Sequence, residues 1–136
     1  MCERGLTSIL KVLHVDDEIG FLTVAKKILE MQGAFQVDIA YSVDEAKEKM
    51  KTKTYDVIVS DYWMPRKNGL EFLKDLREDG NGIPFIVFTG RGREEVAIKA
   101  LNYGANYYIN KYGKPEKVYR ELADAISKSM KTMQLV

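Results

Sequence analysis

The chain has a single cysteine, a single histidine, one tryptophan and three prolines. With Cys2 alone, no intramolecular disulfide, CxxC motif or cysteine-based zinc site can form. With His14 alone, paired-histidine metal sites are excluded. No apolar run reaches the roughly 18 residues that would span a bilayer, and the opening MCERGLTS lacks the basic-then-apolar order of a signal peptide. Neither sign of charge dominates: 21 Lys and Arg against 20 Asp and Glu leave a net +1. That balance argues against a nucleic-acid surface working by bulk charge. The expectation is a cytoplasmic protein that binds neither membrane nor nucleic acid directly. Its 136 residues, 46% hydrophobic and 30% charged, suit one globular domain with one core.

Along the chain, short apolar runs alternate with longer amphipathic ones. Ile9–Val15 reads as a buried strand, and Phe21–Met31 as a helix with Phe21, Leu22, Ala25, Ile28 and Leu29 at helical spacing and Gly33 as its stop. Gln36–Ala40 is a second strand. Ser42 to Glu45 has the capping-box pattern and opens a helix to about Lys51. Tyr55–Ser60 is a third strand, followed by a Pro/Asn/Gly loop and a helix marked by Leu70, Phe72, Leu73 and Leu76. Phe85–Phe88 is a fourth strand, Glu94–Tyr103 a helix stopped by Gly104, and Tyr107–Ile109 a fifth strand. Pro115 suits the first turn of a last helix with Val118, Leu122, Ala125 and Ile126 on one face. Strict strand–helix alternation predicts an α/β domain, a parallel sheet covered on both faces with right-handed crossovers.

In such a sheet, ligands collect beyond the carboxyl ends of the strands. Asp16 and Asp17 close strand one at that rim, Asp61 closes strand three, Thr89 strand four and Lys111 strand five. Three carboxylates in one cleft oppose one another's ionisation. A hard divalent cation such as Mg²⁺, which takes oxygen ligands and keeps positions for phosphate, removes the conflict. A lysine and a threonine hydroxyl suit phosphoryl oxygens, and a carboxylate can itself be the nucleophile, forming an aspartyl phosphate. In-line phosphoryl transfer asks for positioning and charge neutralisation more than for acid–base groups, which fits a rim without histidine.

VLHVDDE, VIVSDYWMPRKNGLEFL, IPFIVFTGRG and GANYYINK stand in this order along the chain, and in these stretches the sequence resembles the receiver domain of two-component response regulators, from about Ile9 to Met130. The resemblance implies a flavodoxin-like, three-layer, doubly wound (βα)5 fold with strand order 2-1-3-4-5. It implies that Asp61 accepts a phosphoryl group from a histidine kinase or histidine phosphotransfer protein. Asp16 and Asp17 correspond to the acidic pair for Mg²⁺, with Asp17 favoured for direct contact, and the Trp63 backbone carbonyl to a further ligand. Thr89 corresponds to the switch hydroxyl, Lys111 to the lysine that meets the phosphoryl, and Tyr108 to the switch aromatic, whose ring turns inward when the threonine moves. The face of helix four, strand five and helix five usually carries the output to a protein partner, and receivers often form homodimers through it. The domain is expected over residues 8–131, with residues 1–7 disordered and 132–136 a tail. The chain is then either a stand-alone receiver or one cut from a longer sensor or regulator.

One departure stands out. The family usually has proline directly after the lysine, often cis, whereas here Tyr112 follows Lys111. A cis bond without proline costs about 2.5–4 kcal/mol, so Lys111–Tyr112 is expected to be trans and the turn into the last helix to run differently. The KYGKP turn resembles one found in receivers of sensor or kinase modules, archaeal ones in particular. Trp63 and Arg91, each two residues past Asp61 and Thr89, fall where the family tunes hydrolysis. An indole there, with Arg91 stacked on it, is expected to slow self-dephosphorylation.

Each residue also has a plainer reading. Asp16 and Asp17 suit a helix cap, Glu18 a first-turn charge beside the helix dipole, and Asp61 a turn. Thr89 suits a strand end, Lys111 the solvent, and Tyr108 core packing beside Tyr103, Tyr107 and Tyr112. His14 reads as a satisfied core or sheet-surface histidine. Convergence on one rim is what favours function. Among other functions, a dehalogenase-like phosphatase would need a second aspartate where Trp63 stands. A P-loop is absent, and Asp16-Asp17-Glu18 would repel a flavin phosphate. A docking module without phosphorylation remains the alternative to a switch. The expected protein is thus a signalling phosphoacceptor that assists its own phosphorylation and dephosphorylation, not an enzyme acting on other substrates.

Overall fold

A computed structural model of the chain describes residues 9–90 and 94–135. In chain order the elements are β1 (Leu10–Val15), α1 (Ile19–Gln32), β2 (Phe35–Ala40), α2 (Val43–Thr52), β3 (Val57–Ser60), α3 (Gly69–Glu78), β4 (Phe85–Thr89), α4 (Glu94–Asn102), β5 (Tyr107–Asn110) and α5 (Pro115–Leu135). The five strands form one parallel sheet in the order β2-β1-β3-β4-β5, the flavodoxin-like order expected.

The alternation of side chains along each strand builds the layers. From β1, Leu13 and Val15 join Ile58, Phe85 and Val87 in a core roofed by α2, α3 and α4, through Ala46, Phe72, Leu73 and Ala100. Val12 points the other way, with Val57, Val59, Ile86 and Phe88, into a core closed by α1 and α5 through Ala25, Leu29, Leu122 and Ile126. Both faces of β3 and β4 are buried throughout, which is why those strands read as unbroken apolar runs.

The sheet order reverses between β1 and β3, whose ends align with Val15 beside Ser60. The residues just past these ends are tied together: the Asp61 N–H donates to the Val15 carbonyl at 2.9 Å, and the Asp16 N–H to the Ala40 carbonyl at 3.1 Å. On the far side, the Lys111 N–H donates to the Thr89 carbonyl at 3.0 Å. Main-chain pairing therefore sets four of the rim residues before their side chains interact.

Several boundaries differ from expectation. The first helix begins at Ile19 with Glu18 as N-cap, and Glu18 makes no side-chain cap bond. Neither Asp16 nor Asp17 caps it. Tyr55 and Asp56 lie before β3, and the Asp56 carboxylate accepts the Lys11 N–H at 2.8 Å. The last helix runs on to Leu135, so residues 132–135, expected as a tail, are helical. Residues 1–7, expected to be disordered, lie outside the described residues. Among the described residues no peptide bond is cis, so Lys111–Tyr112 is trans, and the turn that follows passes through Gly113 at φ +110°.

Candidate functional site

Asp16, Asp17 and Asp61 bring their carboxylate oxygens within 4.8 Å of one another. Asp16 is fully buried and Asp61 almost so, whereas Asp17 is exposed. Asp16 reaches back with Oδ1 to accept the Glu18 N–H at 2.9 Å, which bends the chain from β1 into α1. Its other oxygen accepts from the Lys111 ammonium at 2.7 Å, and that ammonium stands 3.7 Å from Asp61 Oδ2. Thr89 is fully buried and its hydroxyl bonds the Asp61 carboxylate. Burial pushes the Asp61 carboxyl above its usual range, and the charge of Asp16 adds to this. The Thr89 hydrogen bond and the Lys111 charge pull it back.

Asp61 projects toward a cleft of about 220 Å³ lined by Asp17, Glu18, Asp61, Trp63, Gly90 and Lys111. Trp63 is half exposed at its mouth and packs against Tyr62, with ring centroids 6.5 Å apart and planes tilted by 53°. Arg91 lies outside the described residues. A larger cleft, about 380 Å³, opens at the amino ends of β1 and β2 beside Lys11, Gln36 and Tyr55. Its polar groups already satisfy one another: the Tyr55 hydroxyl donates to Asp38 at 2.6 Å, and Lys53 pairs with the same carboxylate at 3.3 Å. We therefore place the chemistry in the smaller cleft.

The loop after Asp61 is held from several directions. Asn68 caps α3 by accepting the Glu71 N–H at 2.9 Å, while Glu71 accepts the Asn68 N–H at 2.7 Å. This reciprocal capping box satisfies two otherwise free donors. Lys67 and Lys47 both pair with Asp75, tying the loop to α2 and α3. At Gly69 the main chain passes so close to Asp61 that a Cβ would lie 2.2 Å from the Asp61 carbonyl oxygen. The Gly69 N–H donates to the Tyr62 carbonyl at 2.8 Å. Glycine is required there by proximity.

Five of the residues drawn from the sequence thus meet at one place: Asp16, Asp17, Asp61, Thr89 and Lys111. Trp63 lines the same cleft. Tyr108 packs against the core on the α2–α4 side. Its hydroxyl is buried without a hydrogen-bond partner, and burial, then the charge of Asp61, raise its pKa. His14 departs from expectation. It is fully buried, but neither ring nitrogen has a partner, so it is not a satisfied histidine. It lies among Phe21, Phe88 and the charge of Lys111, and burial first, then that charge, depress its pKa to about 3.

The donor set fits a small hard cation. Asp61 Oδ1 is buried with no hydrogen-bond partner, among two further carboxylates whose oxygens are close enough to share an ion. The arrangement gathers three carboxylates, a hydroxyl and an ammonium, with Asp17, Asp61 and Lys111 lining one opening and Asp16 and Thr89 buried behind them.

A nearly buried carboxylate flanked in this way stands at the switch point of a five-stranded 2-1-3-4-5 sheet, the place where a doubly wound α/β module binds its ligands. The family comparison gives the same answer: the response regulator receiver domain matches residues 12–134, and the chain belongs to that family. Among relatives, it is 36% identical to the transcriptional regulatory protein CpxR of Escherichia coli over 101 residues, 74% of this chain and 42% of that protein. It is 31% identical to the response regulator Rre1 of Synechocystis over 111 residues, 80% of this chain and 48% of that protein. The chain spans less than half the length of such relatives. Among solved structures, a receiver domain protein from Clostridium thermocellum superposes with a TM-score of 0.82 at 28% identity, covering 93% of this chain and 98% of that one. A CheY-like receiver from Methanospirillum hungatei gives 0.78 at 28% identity, covering 92% and 99%. The chain is a receiver domain of the two-component kind.

Proposed function

We propose that Asp61 is the phosphoacceptor of this receiver, and that Asp16, Asp17, Asp61 and the Trp63 carbonyl hold Mg²⁺. The observation that carries the reading is the nearly buried Asp61 carboxylate, with Oδ1 unpartnered, the Thr89 hydroxyl bonding the carboxylate and the Lys111 ammonium 3.7 Å from Oδ2. An Asp61 oxygen attacks the phosphorus of an N-phosphorylated histidine on a kinase or phosphotransfer protein. The O–P bond forms as the P–N bond breaks, and the electron pair returns to the imidazole nitrogen. The cation supplies charge neutralisation for the acidic cluster and the incoming phosphoryl oxygens. Lys111 donates to one of those oxygens and Thr89 turns toward another. Its departure from Asp61 gives the Tyr108 ring room to move.

The same reading makes the domain, residues 8–131, a cytoplasmic signalling module and not an enzyme acting on other substrates. Its output passes to a protein partner through α4, β5 and α5, by a homodimer or by direct docking. These residues engage no nucleic acid: at net +1 the chain lacks the charge to hold a phosphate backbone alone. Moving a two-state equilibrium from 1:99 to 99:1 takes about 5.5 kcal/mol, and new charge-assisted bonds from Lys111 and Thr89 to the phosphoryl supply part of it.

Incubation with Mg²⁺ and acetyl phosphate, followed by intact mass measurement and peptide mapping, tests the proposal. One hydroxylamine-labile phosphoryl group on Asp61, absent in Asp61→Asn, is expected. An adduct on another residue, or none with Trp63 fluorescence also unmoved by beryllofluoride, would favour a docking module instead.

A further inference from the structure

Beneath the Lys111 ammonium lies an aromatic floor. The Nζ atom sits 4.1 Å from the centre of the Phe21 ring and 5.7 Å from that of Phe88. Phe21 comes from the start of α1, and its ring is braced on three sides by residues from three other elements. Tyr119 of α5 stacks on it with centroids 6.4 Å apart and planes 26° apart. Phe88 of β4 lies at 5.9 Å, and His14 of β1 meets it edge-on at 5.9 Å. Phe88 and Tyr119 also contact one another at 6.2 Å. A ring held in this way cannot follow the lysine; the lysine must settle on the ring.

We propose that Phe21 is a positioning residue for Lys111, fixing its ammonium by a cation–π contact that uses none of its hydrogen-bond donors. The inference rests on the reading of Asp61 and Lys111 as the phosphoryl-receiving pair. A lysine on a four-carbon stem carries three N–H donors and much rotamer freedom. Asp16 takes one donor at 2.7 Å. Had a second carboxylate or a carbonyl stood at position 21, it would have held the ammonium equally well but taken another donor. An aromatic face attracts the charge through its quadrupole and asks for no proton. The two remaining N–H groups are therefore free to point toward Asp61, 3.7 Å away, and toward oxygens of a phosphoryl group bound to it. The Lys111 side chain is largely buried where it meets this ring. The contact is thus a preset aim for a flexible cation, supplied by a residue that is itself neither the proposed acceptor nor one of the proposed metal-holding acids.

The test uses the full chain, with phenylalanine analogues carrying one, two and three ring fluorines placed at position 21. Fluorination drains the ring quadrupole in steps while nearly conserving shape, so a packing role would not follow the series. The first readout is nuclear magnetic resonance of the Lys111 ε-methylene protons in the unphosphorylated protein. Ring-current displacement upfield is expected in the natural protein and reduced to the small share of the more distant Phe88 ring in Phe21→Leu. The second is affinity for beryllofluoride in Mg²⁺, expected to fall stepwise along the series to about 3- to 10-fold below the natural protein. No ring-current displacement would overturn the inference outright. A displacement present with affinity flat along the series would overturn the positioning role while leaving Asp61 as phosphoacceptor. Failure of the natural protein to acquire phosphoryl on Asp61, seen without any variant, would sink the underlying reading and this inference with it.

Discussion

The Lys111 ammonium is bonded to Asp16 at 2.7 Å and stands a further ångström off from Asp61, at 3.7 Å. Its resting partner is therefore the fully buried carboxylate of Asp16, not that of Asp61. Asp16 keeps one other bond, from the Glu18 N–H. Removing the lysine strands a buried charge, which costs about 3–5 kcal/mol when the pair is well shielded. Lys111 retains some solvent contact, which places Lys111→Met toward the lower figure. In a chelating buffer the variant should unfold at lower urea than the natural protein. Saturating Mg²⁺ should recover most of the difference, because the ion replaces the missing positive charge. Equal midpoints without metal would show that Asp16 does not depend on Lys111.

Gly69 and Gly20 make a controlled pair. At Gly69 a Cβ would meet the Asp61 carbonyl at 2.2 Å, with the Ser60 hydroxyl 3.2 Å away. Those are main-chain atoms at the acceptor and a buried side chain, with nowhere to go. Gly69→Ala should cost about 3 kcal/mol or more, at the top of the overpacking range, and should abolish phosphorylation by shifting Asp61. Gly20, near the start of α1, is open: a methyl group added there would meet nothing within 4 Å. Gly20→Ala should stabilise by about 0.5–1 kcal/mol through helix propensity alone. Urea midpoints for both, with acetyl phosphate labelling, check the contrast.

The contrast also marks what the sequence could and could not reveal. Strands β3 and β4 are legible because burial on both faces leaves them with unbroken apolar runs. Asp16, Asp61, Thr89 and Lys111 are legible because a strand end fixes where its next residue lies. Contacts made across elements are not. Nothing local tells that Phe21 underlies a lysine ninety residues on, since its helical spacing is equally that of a core residue. His14 reads as core, but its lack of partners depends on which side chains surround it. Turn chemistry misled in one place: Asn68-Gly69 reads as a loop, whereas Glu71 turns Asn68 into a capping box. At Ser42 the expected cap forms, accepting from the Glu45 N–H, but Glu45 bonds the Tyr41 N–H and not that of Ser42. Arg66 is a further case, a non-glycine residue at φ 72° that no propensity would place there.

Trp63 should govern the lifetime of the phosphoryl group. Its indole borders the cleft beside Asp61 and Lys111 and is half exposed, so it would flank an acyl phosphate formed on Asp61 and shield it from attacking water. Trp63→Ala is expected to shorten that lifetime about threefold, a change of well under one factor of ten in barrier terms. Decay of the acid-stable phosphoprotein after removal of donor measures it. An unchanged half-life would mean that water reaches the phosphorus by another side.

His14 should make the fold acid-sensitive. Its folded-state pKa is depressed to about 3 by burial and then by the Lys111 charge, against an unfolded value of about 6.5. Between those two values the unfolded chain binds the extra proton, so stability falls as pH drops from about 6.5 toward 3. The slope approaches about 1.4 kcal/mol per pH unit, or about 2 kcal/mol lost by pH 5. Asp61 works with the opposite sign: its raised pKa means that the folded state takes up a proton first, which adds stability as pH falls through that raised value. The comparison must therefore be between the natural protein and His14→Leu at the same pH, in chelator. The variant should lose the histidine's share of the acid sensitivity, and should gain stability at neutral pH by removing two unpartnered buried nitrogens. Parallel stability curves for the two proteins from pH 7.5 to 5 would show that His14 finds a proton partner in solution.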